Sequence, residues 1–361
     1  MVKSKRKSKS IAYREAIKMI SPGTKIREAI SMMLQSRLGA LLCIGDPKRL
    51  AELSDGGVEL NAACTPQLLY ELSKMDGAII LNEDGTTITY ANRFLTPSNS
   101  IVSHETGTRH IAAERMAKQA KCAVVAVSER RSSVTLYVQH TRHVLDSLPT
   151  LLNKAAQALQ TLEKYITSLN QSMLDLSARE FEDMVTIFDV CKAIQRCEMS
   201  RRIASEIEPY ILELGTEGRL IELQLGELSI PIEESRLVIK DYYKEKPSLT
   251  AEIAEQRIEE LSHDELLSLE TISQTLGYGA NLRGVDTYLS TRGYRVLSQT
   301  RRLTPQIIDN LVNRFGTLQQ IMRAPKDELD AVEGVGEVLA ERVRLSLNNL
   351  RSQLALDRGR T

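Results

Sequence analysis

The chain has 361 residues, of which 42% are hydrophobic and 26% charged, with equal numbers of basic and acidic side chains and no formal net charge. Such a composition suits two or three domains with ordinary cores and excludes a disordered polyelectrolyte; no apolar run approaches the roughly 18 residues that a membrane-spanning helix needs. The charge is unevenly spread: residues 1–150 carry 21 Lys/Arg against 14 Asp/Glu (+7), residues 151–298 carry 16 against 25 (−9), and the remainder 10 against 8 (+2). The first part therefore suits an anionic ligand, and the middle repels nucleic acid.

In chain order, the basic start "MVKSKRKSKS" has no apolar stretch behind it and reads as a solvated arm rather than a signal peptide. "YREAIKMI" and "KIREAISMMLQSR" space their apolar residues as helices do. "GALLCIG" is a buried strand between glycines. "PQLLYELSKM" is a helix with Pro66 in its first turn. "GAIILNEDGTTITYANRFL" is a hairpin turning at Asp84–Gly85. "AAERMAKQA" is a helix, and "CAVVAVSERRSSVTLYVQHTRHVL" is a second strand pair. This mixture predicts one α/β domain of mixed sheet over residues 1–150.

Residues 151–298 repeat Leu and Ile at helical spacing with no strand signal, so an all-α spacer is expected, with a stop at Gly215. Residues 299–361 form short helices broken by Gly and Pro, a small all-α domain. With no Trp and 4% aromatics, the cores are expected to be Leu, Ile, Val and Ala. Cys43, Cys64, Cys122, Cys191 and Cys197 contain no C-x-x-C and read as buried thiols of a reducing cytosol.

Two regions carry chemistry. Near the C-terminus, Leu329, Val332, Gly334, Val335, Gly336, Ala340 and Val343 fit h-x-x-h-x-G-h-G-x-x-x-A-x-x-h, which resembles the helix-hairpin-helix of DNA-binding proteins. Glycines there allow a tight turn and close approach to a phosphate, and the N–H groups of the next helix face it. The contacts expected are to the backbone of DNA, independent of base sequence, through Gly334, Val335 and Gly336 with Arg342 and Arg344 in support. A plain packing corner between helices is the simpler alternative.

In the first domain, Gly107, Thr108, Arg109 and His110 open a helix, with Thr108 the expected N-cap. Arg109 can fork onto a phosphate, and His110 can donate to an anion or move a proton. No G-x-x-x-x-G-K-[ST] loop occurs. Asp76 and Gly77 stand just before one apolar strand, and Ser128, Glu129, Arg130 and Arg131 just after another. A carboxylate, a hydroxyl, cations and helix N–H groups together equip a site for a nucleoside triphosphate and a divalent metal. His140 and His143 read as surface histidines.

The order D-G-A, G-T-R-H, S-E-R, followed by a helical middle and a terminal helix-hairpin-helix, resembles the bacterial DNA integrity scanning proteins, which are diadenylate cyclases. The resemblance covers nearly the whole chain. It implies condensation of two ATP to cyclic di-AMP with release of two pyrophosphates, at sites facing each other across a subunit interface. It also implies a homo-octamer with a helical spine and an effect of branched DNA on synthesis. Carried over to this sequence, Asp76 binds Mg²⁺ or Mn²⁺ near the attacking hydroxyl and Gly77 contacts the nucleotide through its backbone. Leu95 borders the adenine, Thr108, Arg109 and His110 hold the phosphates, Ser128 meets the terminal phosphates, and Arg130 assists. The chain departs from the family pattern at Ile111, where an arginine directly follows the histidine; Arg115, one turn on, is a candidate substitute. That departure leaves a catalytically impaired, nucleotide-holding DNA scaffold as the alternative reading. A repair accessory protein, whose first domain only assembles subunits, is a weaker one.

Overall fold

The computed structural model describes residues 12–130, 132–279 and 288–358, with the side chains of 355–358 excepted. The basic arm and Arg131 lie outside the described residues. Two compact units emerge: the chain up to Gln157 together with Ile207–Leu223, and Ala158–Glu206 together with the chain from Gln224 onward.

The first unit is built on an eight-stranded sheet. Its elements are helix α1 (residues 12–20), α2 (Lys25–Gln35), β1 (Ala40–Ile44), α3 (Pro47–Glu52), β2 (Ser54–Asp55), β3 (Val58–Ala63), α4 (Pro66–Leu72), β4 (Ala78–Leu81), β5 (Thr87–Leu95), α5 (Thr108–Ala120), β6 (Ala123–Ser128), β7 (Ser133–Val138) and β8 (Thr141–Val144). The strand order is β2-β5-β4-β1-β6-β7-β8, with β3 also on β5. Only β1 and β4 run parallel, so the sheet is mixed, as the alternation of signals implies.

The run "ALLCI" is buried at every position because helices cover both faces of β1. Leu42 and Ile44 pack with Ile17, Ile20, Ile26, Ile30 and Met33 on one face. Leu41 and Cys43 pack with Ala113, Met116 and Ala117 of α5 on the other. Each large aliphatic side chain so removed from water contributes about 1.5–3 kcal/mol. All five cysteines are buried free thiols.

The expected second strand pair is a three-stranded meander, since the mostly polar run Thr141–Val144 forms β8 against β7. The short α3 and the strands β2 and β3 were not legible from periodicity. β3 is exposed along most of its length and carries an irregularity at Asn61, where φ is +48°.

Residues 207–223 close against the sheet domain from within the same unit. Ser21 Oγ donates to Leu212 O at 2.8 Å, and Thr216 N to Pro22 O at 3.2 Å. The expected helix stop at Gly215 is a left-handed glycine, φ +53°, whose absent Cβ would lie 2.4 Å from Pro22 O. His143 is not a bare surface histidine. Its Nε2 lies 2.7 Å from the buried carboxylate of Glu213, while His140 is exposed.

The remaining elements are all helical: α6 (Leu148–Glu182), α7 (Ile187–Leu214), α8 (Arg219–Tyr242), α9 (Ala251–Glu260), α10 (His263–Leu267), α11 (Leu269–Thr275), α12 (Tyr294–Ser298), α13 (Pro305–Phe315), α14 (Leu318–Arg323), α15 (Lys326–Asp330) and α16 (Glu337–Arg358). Side-chain caps start α9, α10, α11, α13 and α14, at Thr250, Ser262, Ser268, Thr304 and Thr317. Among the described residues no helix is long and apolar enough to cross a membrane.

Candidate functional site

One end of the sheet collects the polar residues of the first domain. The register pairs Leu41 of β1 with Ala78 of β4 and Ala40 of β1 with Val127 of β6. Gly39 immediately precedes β1, Ser128 ends β6 next to it, and Asp76 and Gly77 form the bend that leads into β4. Leu95 ends β5 at the same edge, and Gly77 precedes β4.

Arg109 reaches this edge from α5. Its guanidinium lies across Gly39, where an added Cβ would meet Nη1 at 2.0 Å. Glycine at 39 is thus the condition for Arg109 to lie against the start of β1. The expected N-cap moves by one residue. Gly107 is the cap, with ψ of 135°, and Thr108 is already the first helical residue, because Ile111 N donates to Gly107 O at 2.8 Å. Gly107 supplies no capping side chain, so the amides of Thr108 and Arg109, which have no intrahelical acceptor, face the site.

Glu105 to His110 and Ser128 to Arg130 line a concavity of about 450 Å³. Thr108, Arg109, Glu129 and Arg130 are exposed, while His110 and Ser128 are partly buried. Asp76, Gly77 and Leu95 are outside that lining. Asp76 is exposed, and its carboxylate has no hydrogen bond or ion pair among the described residues. The side chain of Leu95 is buried in the α5-face core, 8% exposed, so only its backbone is offered to a ligand. Gly77 has a structural reason of its own, since a Cβ there would lie 2.7 Å from the backbone carbon of Asn92 at an irregularity between β4 and β5.

Ile111 is half-buried on α5. Arg115 does not replace a guanidinium in the site: its Nε donates to Ile101 O at 2.9 Å and its Nη1 to Asn99 Oδ1 at 2.6 Å. With Glu114, which accepts from Ser103 Oγ and His104 N, and Lys118, which donates to Val102 O, it braces the loop that leads into α5.

Three residues of the site escaped the sequence reading. His110 Nδ1 lies 2.9 Å from the hydroxyl of Tyr137, which donates to Glu105 Oε1 at 2.8 Å, and Arg142 Nε donates to the same oxygen at 2.5 Å. Burial alone would raise the Glu105 carboxyl, but the Tyr137 hydroxyl and the Arg142 guanidinium outweigh it and hold it below the usual carboxylate range. Burial, then the Glu105 carboxylate, push the Tyr137 phenol well above its ordinary value. Tyr137 is 1% exposed and occupies a core position of a strand buried along nearly its whole length, so the pattern shows only a large apolar residue. Its polar tip is what matters.

In the C-terminal part, α15 and α16 are joined at Gly334–Gly336. Leu329, Val332, Val335, Ala340 and Val343 are all buried, as the motif requires. The two glycines divide the work. Gly334 has φ +83° and makes the turn, whereas a Cβ at Gly336 would have no atom within 4 Å, which leaves an open approach to the start of α16. Arg342 lies on the face of α16 that, with Gln299–Arg302 and Lys326, lines a groove of about 990 Å³. Arg344, two residues on and so about 200° around the helix, is instead 4.0 Å from Glu341. Arg301, Arg302 and Arg342 make no hydrogen bond or ion pair among the described residues, while Lys326 pairs with Glu337 at 2.6 Å.

Comparison with known proteins gives two family matches. Residues 27–142 match the DisA bacterial checkpoint controller nucleotide-binding family, and residues 145–284 match the DisA bacterial checkpoint controller linker region. The DNA integrity scanning protein DisA of Carboxydothermus hydrogenoformans is 47% identical over 339 residues, covering 94% of this chain and 96% of that protein. The DisA of Bacillus pumilus is 44% identical over 359 residues, covering 99% of each. Among solved structures, DacA from Staphylococcus aureus is 25% identical over 34% of this chain and 85% of its own, with a TM-score of 0.29.

Proposed function

The chain belongs to the DisA family of bacterial DNA integrity scanning proteins, and from that footing we propose that it is a diadenylate cyclase. It joins two ATP molecules into cyclic di-AMP with loss of two pyrophosphates, and DNA bound by its C-terminal domain modulates the reaction. The observation that carries this reading is the edge where Gly39 lies under Arg109 and Ser128 ends β6 beside the start of α5, which has no side-chain cap, with Asp76 in the bend before β4.

Thr108, Arg109 and His110 hold the phosphates, Ser128 and Arg130 meet their terminal end, and the backbones of Gly77 and Leu95 border ribose and base. Attack of a 3′-hydroxyl on an α-phosphate builds negative charge on the phosphoryl oxygens and the leaving pyrophosphate. Arg109 and the α5 amides offset that charge where it develops. The residues present fit a metal shared with substrate: the exposed carboxylate of Asp76 would hold it, with phosphate oxygens completing the shell, as Mg²⁺ prefers and Mn²⁺ accepts. Such an ion would lower the pKa of the hydroxyl and screen the phosphates. Holding two nucleotides face to face across a subunit interface supplies about 7–11 kcal/mol at best; this requires a dimer, and the octamer rests on the family resemblance alone.

DNA is assigned to the α15–α16 turn, with Gly334, Val335 and Gly336 approaching phosphate. The groove bearing Arg301, Arg302 and Arg342 extends that surface, and Arg344 adds charge nearby. Such contacts fit branched DNA read by shape and charge in the cytoplasm. The test is product analysis: purified protein with ATP and Mg²⁺ or Mn²⁺ is expected to yield cyclic di-AMP, at a rate that branched DNA changes. Absence of product under both metals overturns the enzyme reading.

The second reading, a nucleotide-holding DNA scaffold, is favoured by one observation: Ile111 stands where the family pattern has arginine, and Arg115 is engaged by Ile101 and Asn99. Ile111→Arg separates the two. A working cyclase gains less than about tenfold in turnover, because Arg109 and the helix start already meet the phosphates. A gain of about a hundredfold or more, measured by cyclic di-AMP formation, places the native chain among impaired relatives.

A further inference from the structure

We propose that Glu105 and Tyr137 are positioning residues that fix the ring of His110, with Nδ1 the hydrogen-bond donor to Tyr137 and Nε2 the nitrogen presented to the nucleotide. This rests on the reading of the cavity as an ATP site.

The number of available protons decides the tautomer. The Tyr137 hydroxyl has one. It lies 2.8 Å from Glu105 Oε1 and 2.9 Å from His110 Nδ1. Arg142 also donates to that carboxylate oxygen at 2.5 Å, so Glu105 is ionised and can only accept. The phenol proton therefore goes to Glu105, and the phenol oxygen is left with lone pairs alone. His110 Nδ1 must carry the hydrogen between them. Every link is held by a different element: Glu105 by the braced loop before α5, Tyr137 by β7, Arg142 by β8 and His110 by the first turn of α5. Tyr137 is 1% exposed, so water does not compete for its hydroxyl.

Imidazole in water prefers the opposite tautomer, with hydrogen on Nε2. The network reverses that preference. A neutral ring then offers the Nε2 lone pair to a ribose hydroxyl, and a protonated ring offers Nε2–H to a phosphate oxygen; Nδ1 has the same partner in both states. A ring able to turn would lose both contacts in part of the population. Hydrogen bonds that fix a histidine from behind in this way commonly carry about 10–100-fold of binding or activity.

The test uses the full chain labelled with ¹⁵N-histidine, with His110 assigned by its loss in His110→Gln. Long-range ¹H–¹⁵N spectra without nucleotide are expected to show the Nδ1–H tautomer for His110 in the wild type and the Nε2–H tautomer in Tyr137→Phe. Tyr137→Phe is also expected to lower kcat/KM for ATP by about 10–100-fold, with a melting temperature that does not track the loss. Should that variant fail to fold, Glu105→Gln serves in its place, since its amide can give the phenol a donor and so release the Tyr137 proton toward His110. An Nε2–H tautomer in the wild type overturns the proposal, as does unchanged kcat/KM in a folded Tyr137→Phe. A protein that makes no cyclic di-AMP sinks the cyclase reading, while the tautomer of His110 still decides this one.

Discussion

Asp76→Asn is expected to cut cyclic di-AMP formation by about 10²–10³-fold while leaving the fold intact. The geometry separates these two effects. Asp76 is exposed just before β4, and its carboxylate has no hydrogen bond or ion pair among the described residues. No contact of the described residues depends on its charge, so the variant should melt within about 1–2 °C of wild type, the shift expected of a surface change below about 0.5 kcal/mol. What asparagine removes is the anion. The cavity otherwise offers Arg109, Arg130 and the α5 amides, which attract triphosphate but cannot hold a divalent cation. It also offers the carboxylate of Glu105, which is already engaged by Tyr137 and Arg142, and that of Glu129 beside Arg130. Loss of the Asp76 carboxylate should therefore appear mainly in kcat, with ATP still bound through Thr108, Arg109 and His110. Activity within about threefold of wild type would remove Asp76 from the chemistry. A matching loss of thermal stability would make it a structural residue instead.

Much of this site was readable because its chemistry sits next to strong local signals. Asp76 and Ser128 flank apolar strands, and the G-T-R-H cluster opens an Ala-rich helix. Their mutual placement was not readable. It depends on β1 pairing in parallel with β4 and antiparallel with β6, a choice of register that no single strand encodes. Gly39 shows the same gap. In the sequence it is the boundary of "GALLCIG"; in the fold it is the seat of the guanidinium of Arg109, far along the chain. Glu105 and Tyr137, 32 residues apart, meet only through the packing of α5 on β7. Of the C-terminal glycines, the pattern marks Gly334 and Gly336 equally, yet only Gly334 needs a left-handed backbone. The edge strand β3 gave no signal because its exposed residues bury no alternate face.

Arg295→Met is expected to destabilise the helical unit by about 3–5 kcal/mol near pH 8. Arg295 is 3% exposed at the start of α12 and pairs with the buried carboxylate of Glu180 on α6. Its Nη2 also donates to Ser177 Oγ at 2.9 Å, and Tyr242 of α8 donates to Glu180 Oε1 at 2.9 Å. Beside it, Asp241 accepts from the backbone N–H groups of Gly293, Tyr294 and Arg295 at 2.8, 2.6 and 3.0 Å. One buried cation thus pairs with Glu180 and lowers the carboxyl of Asp241 through its charge, and its removal leaves both buried acids without that counter-charge. The pH dependence has a definite sign. Burial, followed by the charge of Glu180, pushes the Asp241 carboxyl from 3.8 up to about 7. A carboxyl raised in the fold favours folding while protonated, so stability should fall as pH rises from about 4 through about 7. Without Arg295 the Asp241 carboxyl loses a charge that lowers it and gains more from a proton, so the deficit of the variant should shrink at about pH 5.5. Replacing the pair, as in Glu180→Leu with Arg295→Met, should recover most of the loss, because apolar packing avoids the desolvation of two ions. Thermal unfolding of the three proteins at both pH values measures this. Equal midpoints for Arg295→Met and wild type at about pH 8 would show that the buried pair does not hold α12 to α6.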